Sequence, residues 1–411
     1  MSQIKKIAIV WESETGGGVN SYLKYLLQSR AFLGKQITIF TNSENKGAKS
    51  LIKDLAQQKN VKFIFFNSFF VFNRKRSFLE KLIYYFLKPF LLFIMVFKFK
   101  KILSDSNYDI LLCECGNYGS FRSEQAAILA SRALKIPLKI IVIHHACEKP
   151  PLFMGAVFKI IDYFLRKTLT SLITVSKATR ETVFYNSNLL SSDQLKGDVI
   201  HNGVPTNKFV KKDYLNLTHA KDKESVLKIG MVTRLSPDKG HDNLILAFSK
   251  LPPEYKKKMT IIFVGEDERG QRKRLEELIM DSNLKDKILF LDYVDIDSKK
   301  IILSLDLLLS LTKSYEGFGL SIAEAMSVGT PVLATDVGGV NEFFNNECGK
   351  LIKFAKVEDI KNSLMDFCDN KKDWDNRAQF AKEKIEKYFN SETMGTNYMN
   401  HFIKKFYEMK R

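Results

Sequence analysis

The sequence predicts an α/β architecture of two doubly wound domains, each a parallel sheet covered by helices, facing across a cleft. Three observations predict it. Short β-branched runs alternate with helix-length segments, the pattern of parallel strands joined by crossover helices. The strand runs are apolar throughout rather than alternating, as expected of strands covered on both faces. The alternation stops in one polar stretch and then restarts, so two units are expected, and a chain of 411 residues is long enough for both.

In chain order, "KKIAIVWES" reads as a strand, "GGGVN" as a turn and "SYLKYLLQSR" as a helix ending near Gly34. "QITIFT", "VKFIFF", "YDILLCE", "LKIIVIHH" and "SLITVS" follow as strands, most of them separated by helices. Residues 205–226 are polar and weakly periodic, a linker by composition. Then "LKIGMVTRL", "MTIIFVG", "KILFLDYV", "LDLLLSL" and "TPVLATD" are strands, with helices between them, and the tail "SETMGTNYMNHFIKKFYEMKR" is a final basic helix. The expected domains are 1–205 and 206–387, with a helix at 388–411 packing back on the first. Sheets of this kind bind ligands at the carboxyl ends of their strands.

At 45% hydrophobic and 27% charged, the chain has a globular composition. Its five cysteines are scattered; Cys113 and Cys115 form a C-x-C with no second pair to complete a zinc site, which fits a reduced, cytoplasmic setting. The apolar run near the N-terminus is too short for a secretion signal. A net charge of +18 calls for an anionic partner: nucleic acid, a phosphate-bearing small molecule or anionic lipid.

Against that charge, "SYEGFGLSIAEAM" at 314–326 sets Glu316 and Glu324 on either side of a glycine-bearing loop. The strand "LDLLLSL" enters this loop and the helix "SIAEAMSV" leaves it, stopped by Gly329 and Pro331. Backbone N–H groups and a helix N-terminus are thereby presented at the sheet's carboxyl edge, a site suited to an anion. Glu324 has a plainer reading as the acid of a capping box begun by Ser321, and Glu316 one as a solvated loop acid. In "MVTRLSPDKGHDNL", Arg234 ends a strand and Lys239 precedes a glycine and a helix. Cations are unfavourable at a helix N-terminus unless an anion joins them, so a diphosphate is expected there, held by the forked Arg and the point charge of Lys.

Together these motifs resemble the retaining, nucleotide-sugar-dependent glycosyltransferases of family four, with two Rossmann-like domains in the GT-B fold. The matching residues are "GGG" at 16–18, "VIHH" at 142–145, "VSK" at 175–177, "HNGVPTNKF" at 201–209 and "RLSPDKG" at 234–240. They continue with "VGED" at 264–267, "EGFGLSIAEAMSVGTPVLATDVGGVNE" at 316–342 and "CGKLI" at 348–352. The resemblance covers nearly the whole chain, is strongest from Arg234 onward and is loose across 43–107. It implies that Arg234 and Lys239 hold the donor diphosphate, that Glu324 accepts from the ribose hydroxyls, and that Glu316 serves the donor sugar and charge at its anomeric carbon. It further implies that backbone amides of Phe318, Gly319 and Leu320 meet sugar and phosphate, with Glu342 a further donor-side contact. In the first domain, Gly17 and Gly18 would let backbone approach the phosphate, and His144 would face the transferred sugar. His145 beside it is the competing histidine.

Two departures bear on selectivity. Thr312 and Lys313 stand where the family often has Pro-Ser, and Asn20 stands where a glutamate commonly follows the glycines. Asp295 and Asp297 form a D-x-D like the metal motif of the other major glycosyltransferase fold, but the resemblance implies that Arg and Lys replace a metal here.

Residues 63–101 hold twelve of the 32 phenylalanines, eight cations and one acid, Glu80. The longest apolar run, Pro89 to Phe97, is far short of the roughly 18 residues that span a bilayer. An aromatic body with a basic rim suits a helix lying in an anionic membrane surface; the alternative is a core helix with a solvated basic edge.

The sequence therefore reads as a retaining glycosyltransferase that uses a nucleotide-diphosphate sugar and no cofactor or metal. Its expected acceptor is a lipid-linked or cell-surface glycan, and its expected place is the cytoplasmic face of a membrane, bound peripherally. A nucleic-acid-binding protein would explain the charge but gives no role to Glu316, Glu324 or the glycines, and a non-catalytic sugar-binding relative would not need the set intact. With Arg234, Lys239 and a helix N-terminus to neutralise the leaving diphosphate, sugar transfer should survive excess EDTA. Complete loss, restored by Mg²⁺ or Mn²⁺, would return Asp295 and Asp297 to the site.

Overall fold

The computed structural model describes residues 4–14, 17–70, 78–104, 107–190, 195–206, 226–268, 270–291 and 297–409. Two compact units emerge: 1–202 with 391–411, and 203–390. Most of the polar stretch read as a linker, 207–225, lies outside the described residues, as do Arg74, Lys75, Arg76 and Asp295.

In the first unit the chain runs β1 (Lys6–Trp11), α1 (Gly18–Gln28), β2 (Gln36–Asn42), α2 (Lys46–Asp54), β3 (Val61–Phe66), α3 (Phe78–Ser104) and β4 (Ile110–Cys115). It continues through α4 (Ser123–Ser131), β5 (Leu138–Ile143), α5 (Gly155–Thr168), β6 (Ser171–Thr174), α6 (Lys177–Asn186) and a short β7 (Asp198–Val199). The strands form one parallel sheet in the order β3-β2-β1-β4-β5-β6-β7. β1 lies between β2 and β4, with Val10 opposite Phe40 on one side and Cys113 on the other. Burial of β1 and β4 on both faces explains their unbroken apolar runs. The strand order reverses between β1 and β4, the place where open α/β sheets form a binding crevice.

α3 carries apolar residues around its whole circumference. One face, with Leu92, Met95, Phe99 and Leu103, enters the core, where Phe99 packs edge-on to Phe66 at 5.0 Å. The opposite face is exposed along Phe86, Phe90, Phe93 and Phe97. The core-helix reading of the aromatic stretch thus holds for one face, and the other face is left exposed. Among the described residues, no helix is long and apolar enough to cross a membrane.

The second unit begins with β8 (Leu227–Val232), α7 (His241–Ser249), α8 (Pro253–Lys256), β9 (Met259–Val264), α9 (Gln271–Asp281) and β10 (Ile288–Leu291). It continues with α10 (Ser298–Leu303), β11 (Leu307–Ser310), α11 (Leu320–Val328), β12 (Val332–Thr335), β13 (Lys350–Ile352), α12 (Val357–Asp369) and α13 (Lys371–Tyr388). Its parallel sheet is ordered β10-β9-β8-β11-β12-β13, and the order reverses between β8 and β11.

The last helix, α14 (Ser391–Glu408), belongs to the first unit. Gly395 lets it approach closely: a Cβ there would stand 2.1 Å from Ser29 Oγ at the end of α1. Phe402 packs edge-on to Phe32, and Glu392 accepts the Arg30 N–H at 3.0 Å.

Candidate functional site

The loops that follow β8 and β11 lie side by side at the switch point of the second sheet, and they carry the charged residues selected from the sequence. After β8 the backbone stays extended against the loop after β9. Leu235 N–H donates to Glu266 O at 2.9 Å, and Glu268 N–H returns to Leu235 O at 3.0 Å. This pairing fixes Arg234, whose Nη1 is 2.9 Å from Glu268 Oε2. Lys239 closes a 3-10 turn at Pro237–Lys239, just before α7. Its Nζ donates to Glu316 Oε2 at 2.9 Å and to Thr312 Oγ1 at 3.4 Å, and Thr312 Oγ1 is in turn 3.3 Å from Glu316 Oε2. Lys239 and Glu316 are each mostly shielded from solvent, whereas the Arg234 side chain is 40% exposed.

Thr312 and Lys313, departures from the family pattern, both have structural partners. Thr312 bridges the Lys239–Glu316 pair, and its carbonyl accepts Thr335 Oγ1 at 2.6 Å. Lys313 pairs with Asp242 of α7 at 2.7 Å.

The glycine-bearing loop between β11 and α11 is held at both ends. Phe318 turns its ring inward and stacks on Phe343, centroids 4.3 Å apart. Gly319 precedes α11 at φ 101°, which a side chain would strain, so the helix begins at Leu320. The first-turn N–H groups of Leu320 and its successors have no carbonyl partner within the helix. Glu316 is fixed through its main chain: Gly339 N–H donates to its carbonyl at 2.9 Å. Gly338, at φ 58°, lies so close that a Cβ would stand 2.0 Å from that same oxygen. Glu342 ends the short turn that follows.

The capping-box reading of Glu324 is corrected. Because the left-handed Gly319 starts the helix at Leu320, Ser321 already lies inside it and no side-chain cap forms. Glu324 is buried, and its Oε2 accepts Ser298 Oγ from the start of α10 at 2.8 Å. Asp297, of the D-x-D, caps α10 by accepting Lys299 N–H at 3.0 Å. Among the described residues, no three His, Cys, Asp or Glu side chains gather as a metal site.

In the first unit, His144 follows β5 directly. Its Nε2 lies 2.7 Å from Oε2 of Glu114, a fully buried residue of β4, and its ring packs edge-on against Tyr22 at 4.6 Å. Burial holds the Glu114 carboxyl above the usual range, and the hydrogen bond and charge of His144 offset only part of that rise. With Nε2 engaged, any further polar contact of the ring must be made through Nδ1. His145 is exposed. Gly17 is extended and exposed, and a Cβ on it would meet nothing within 4 Å. Asn20, in the place of the family's glutamate, accepts the Gly17 N–H at 2.7 Å and so closes the start of α1. Glu114, Ser298 and Glu268 were not singled out in the sequence; each lies on a different element from the residue it holds, with no spacing to reveal the pairing.

The second unit thus offers two cations and a helix N-terminus for an anion, with carboxylates placed to accept from hydroxyls. The family model of the glycosyl transferases group 1 matches residues 218–387. An uncharacterized glycosyltransferase of Methanocaldococcus jannaschii is 29% identical over 207 residues, taking in 48% of this chain and 50% of that protein. The chain therefore spans about half the length of that relative. An Escherichia coli UDP-Gal:alpha-D-GlcNAc-diphosphoundecaprenol alpha-1,3-galactosyltransferase is 27% identical over 285 residues, 66% of this chain and 69% of that one. Among solved structures, the Anabaena protein HepE in complex with UDP and glucose superposes with a TM-score of 0.74 at 19% identity, covering 97% of this chain and 100% of that one. The fold is GT-B: two parallel-sheet α/β units.

Gly338→Ala should destabilise the second unit by about 2 kcal/mol or more, since the new methyl meets a backbone carbonyl at a positive φ. The midpoint of denaturant unfolding checks this. An unchanged midpoint would mean that the loop holding Glu316 is free to shift.

Proposed function

We propose that the protein is a retaining glycosyltransferase that moves a sugar from a nucleotide-diphosphate donor to a hydroxyl of a lipid-linked or cell-surface glycan, at the surface of an anionic membrane, without a metal. The observation that carries this reading is the cluster of Lys239, Thr312 and Glu316, with Arg234, at the switch point beside the N-terminus of α11. The relatives support the acceptor class, one being named for a diphosphoundecaprenol-linked acceptor, and the HepE structure with UDP and glucose supports the donor class.

In the reaction, the bond between the anomeric carbon and the diphosphate breaks, a bond to the acceptor oxygen forms on the same face of the sugar, and the acceptor's hydroxyl proton passes to the departing diphosphate. Arg234 and Lys239 bind the diphosphate and offset the charge that grows on it as it leaves. Glu316 accepts from sugar hydroxyls and supports positive charge at the anomeric carbon; Lys239 and Thr312 hold it in place for this. Glu324, fixed by Ser298, accepts from the ribose. The amides of Phe318, Gly319 and Leu320 serve phosphate and sugar. From the first unit, His144 contacts the transferred sugar through Nδ1, oriented by Glu114. Gly17 and Gly18 contact phosphate through backbone; among the described residues, nothing within 4 Å would meet a Cβ at 17, so packing gives no reason for a glycine there.

Arg234→Ala and Lys239→Ala should each weaken binding of a nucleoside diphosphate about ten- to a hundredfold, the loss of one charge-assisted hydrogen bond. Glu324→Gln should act mainly on donor affinity and Glu316→Gln mainly on turnover, because charge at the anomeric carbon matters most in the transition state. Calorimetry with UDP and GDP, and kcat and KM for the two glutamate variants, decide these points. Unchanged nucleotide affinity in both cation variants would remove the diphosphate assignment.

A further inference from the structure

The first unit carries a large apolar surface that its own fold leaves uncovered. α4 is buried along nearly its whole length, packed between α3 and α5, so these two flanking helices form the outer layer. On α3 the residues facing outward are Ile83, Phe86, Phe90, Phe93 and Phe97, a stripe at helical spacing opposite the core face. Phe90 is 62% exposed. The surface does not stop at α3. After Pro150 and Pro151 a 3-10 turn, Leu152–Met154, projects Leu152, which is 100% exposed, and Phe153, whose ring lies 5.8 Å from that of Phe86. From there α5 extends the patch through Ile160, Tyr163 and Phe164.

Among the described side chains of α3 and α5, the outward charges have one sign. Across 83–104 there are four lysines and no acid; Lys88 lies on the core face between Tyr84 and Leu92, which leaves Lys98, Lys100 and Lys101 for the rim. Across 149–168 the cations are Lys149, Lys159, Arg166 and Lys167, and the one acid, Asp162, is turned inward, where it accepts from Tyr118 and from the Asn188 N–H. A soluble surface ordinarily scatters apolar residues among charges of both signs. Aromatics rimmed by cations match instead the two parts of an anionic lipid surface, acyl chains below and phosphates above. A second copy of this chain would bring seven like charges against seven, in a protein of net charge +18.

We propose that the outer face of α3 together with the Leu152–Phe153 turn and α5 is a membrane-docking surface, which lies in the interface of an anionic bilayer and inserts Leu152 and Phe153 as its deepest residues. This rests on, and makes specific, the reading that the acceptor is lipid-linked. The lysines set the preference for anionic lipid and the aromatics add a part that salt does not screen.

The full chain should sediment with vesicles of phosphatidylcholine plus phosphatidylglycerol and far less with phosphatidylcholine alone; added salt should weaken this binding without abolishing it. Leu152→Glu with Phe153→Glu should lower the partition coefficient about tenfold or more. Met280→Glu, at an equally exposed apolar position of the second unit, should leave it unchanged. Phe153→Trp supplies a direct readout, a blue shift of the introduced indole's emission on adding the anionic vesicles, and remains informative if the double variant fails to fold. Equal partitioning to neutral and anionic vesicles, no partitioning, or an unshifted emission from the Phe153→Trp variant when bound would overturn the proposal. So would a double variant that loses self-association in sedimentation velocity but keeps vesicle binding, since a second copy would then be the occupant. Hydrolysis of the soluble donor should be the same in the double variant and the parent. Docking with no transfer to any lipid-linked acceptor would sink the acceptor assignment and leave the docking surface standing.

Discussion

The ion pair between Lys239 and Glu316 is the interaction on which the second unit's site depends. A cation beside a helix start and a carboxylate on a loop from the adjacent strand are each unfavourable alone in a half-buried crevice. Held 2.9 Å apart, with Thr312 touching both, they fix each other and join the ends of β8 and β11. The topology supplies the place. Because the sheet order reverses between these two strands, their following loops diverge to opposite faces and leave the crevice between them open.

Around this pair, the loops are held by backbone rather than by side chains. Gly338 and Gly339 press against the Glu316 carbonyl, and the loop after β9 pairs with the loop that carries Arg234. Phe318 stacks into the core one residue before the helix whose N-terminus faces the crevice. A site built this way keeps its donors and acceptors in place without a ligand, which is the preorganisation that binding and transition-state stabilisation both need.

The first unit applies the same logic to a histidine. Glu114 is buried at the end of β4, where an unpaired carboxylate would be costly, and His144 at the end of the neighbouring β5 pairs with its Oε2. The pair orients the imidazole while leaving the adjacent His145 exposed. Elsewhere in this unit the apolar content exceeds what one core can absorb. α3 places one set of aromatics inside and another outside, and the excess is gathered on one basic face rather than dispersed.

The sequence by itself determined the fold class and nearly every strand. Buried parallel strands must be apolar on both faces, and their crossover helices enforce an alternation that can be read directly. It missed β7 and β13, which at two and three residues are too short to leave a pattern. It also located the charged candidates, since loops after strands carry the ligands of such sheets. Tertiary structure decided what those residues touch. The left-handed turn at Gly319 moved the start of α11 and removed the cap assigned to Glu324, a shift of register that residue spacing cannot report. Glu114 became His144's partner, and Leu152 joined the aromatic face of α3, only because chain segments distant in sequence are adjacent in space. Local propensity and periodicity are written in short windows of sequence, whereas pairing, burial and surface continuity belong to the packed chain.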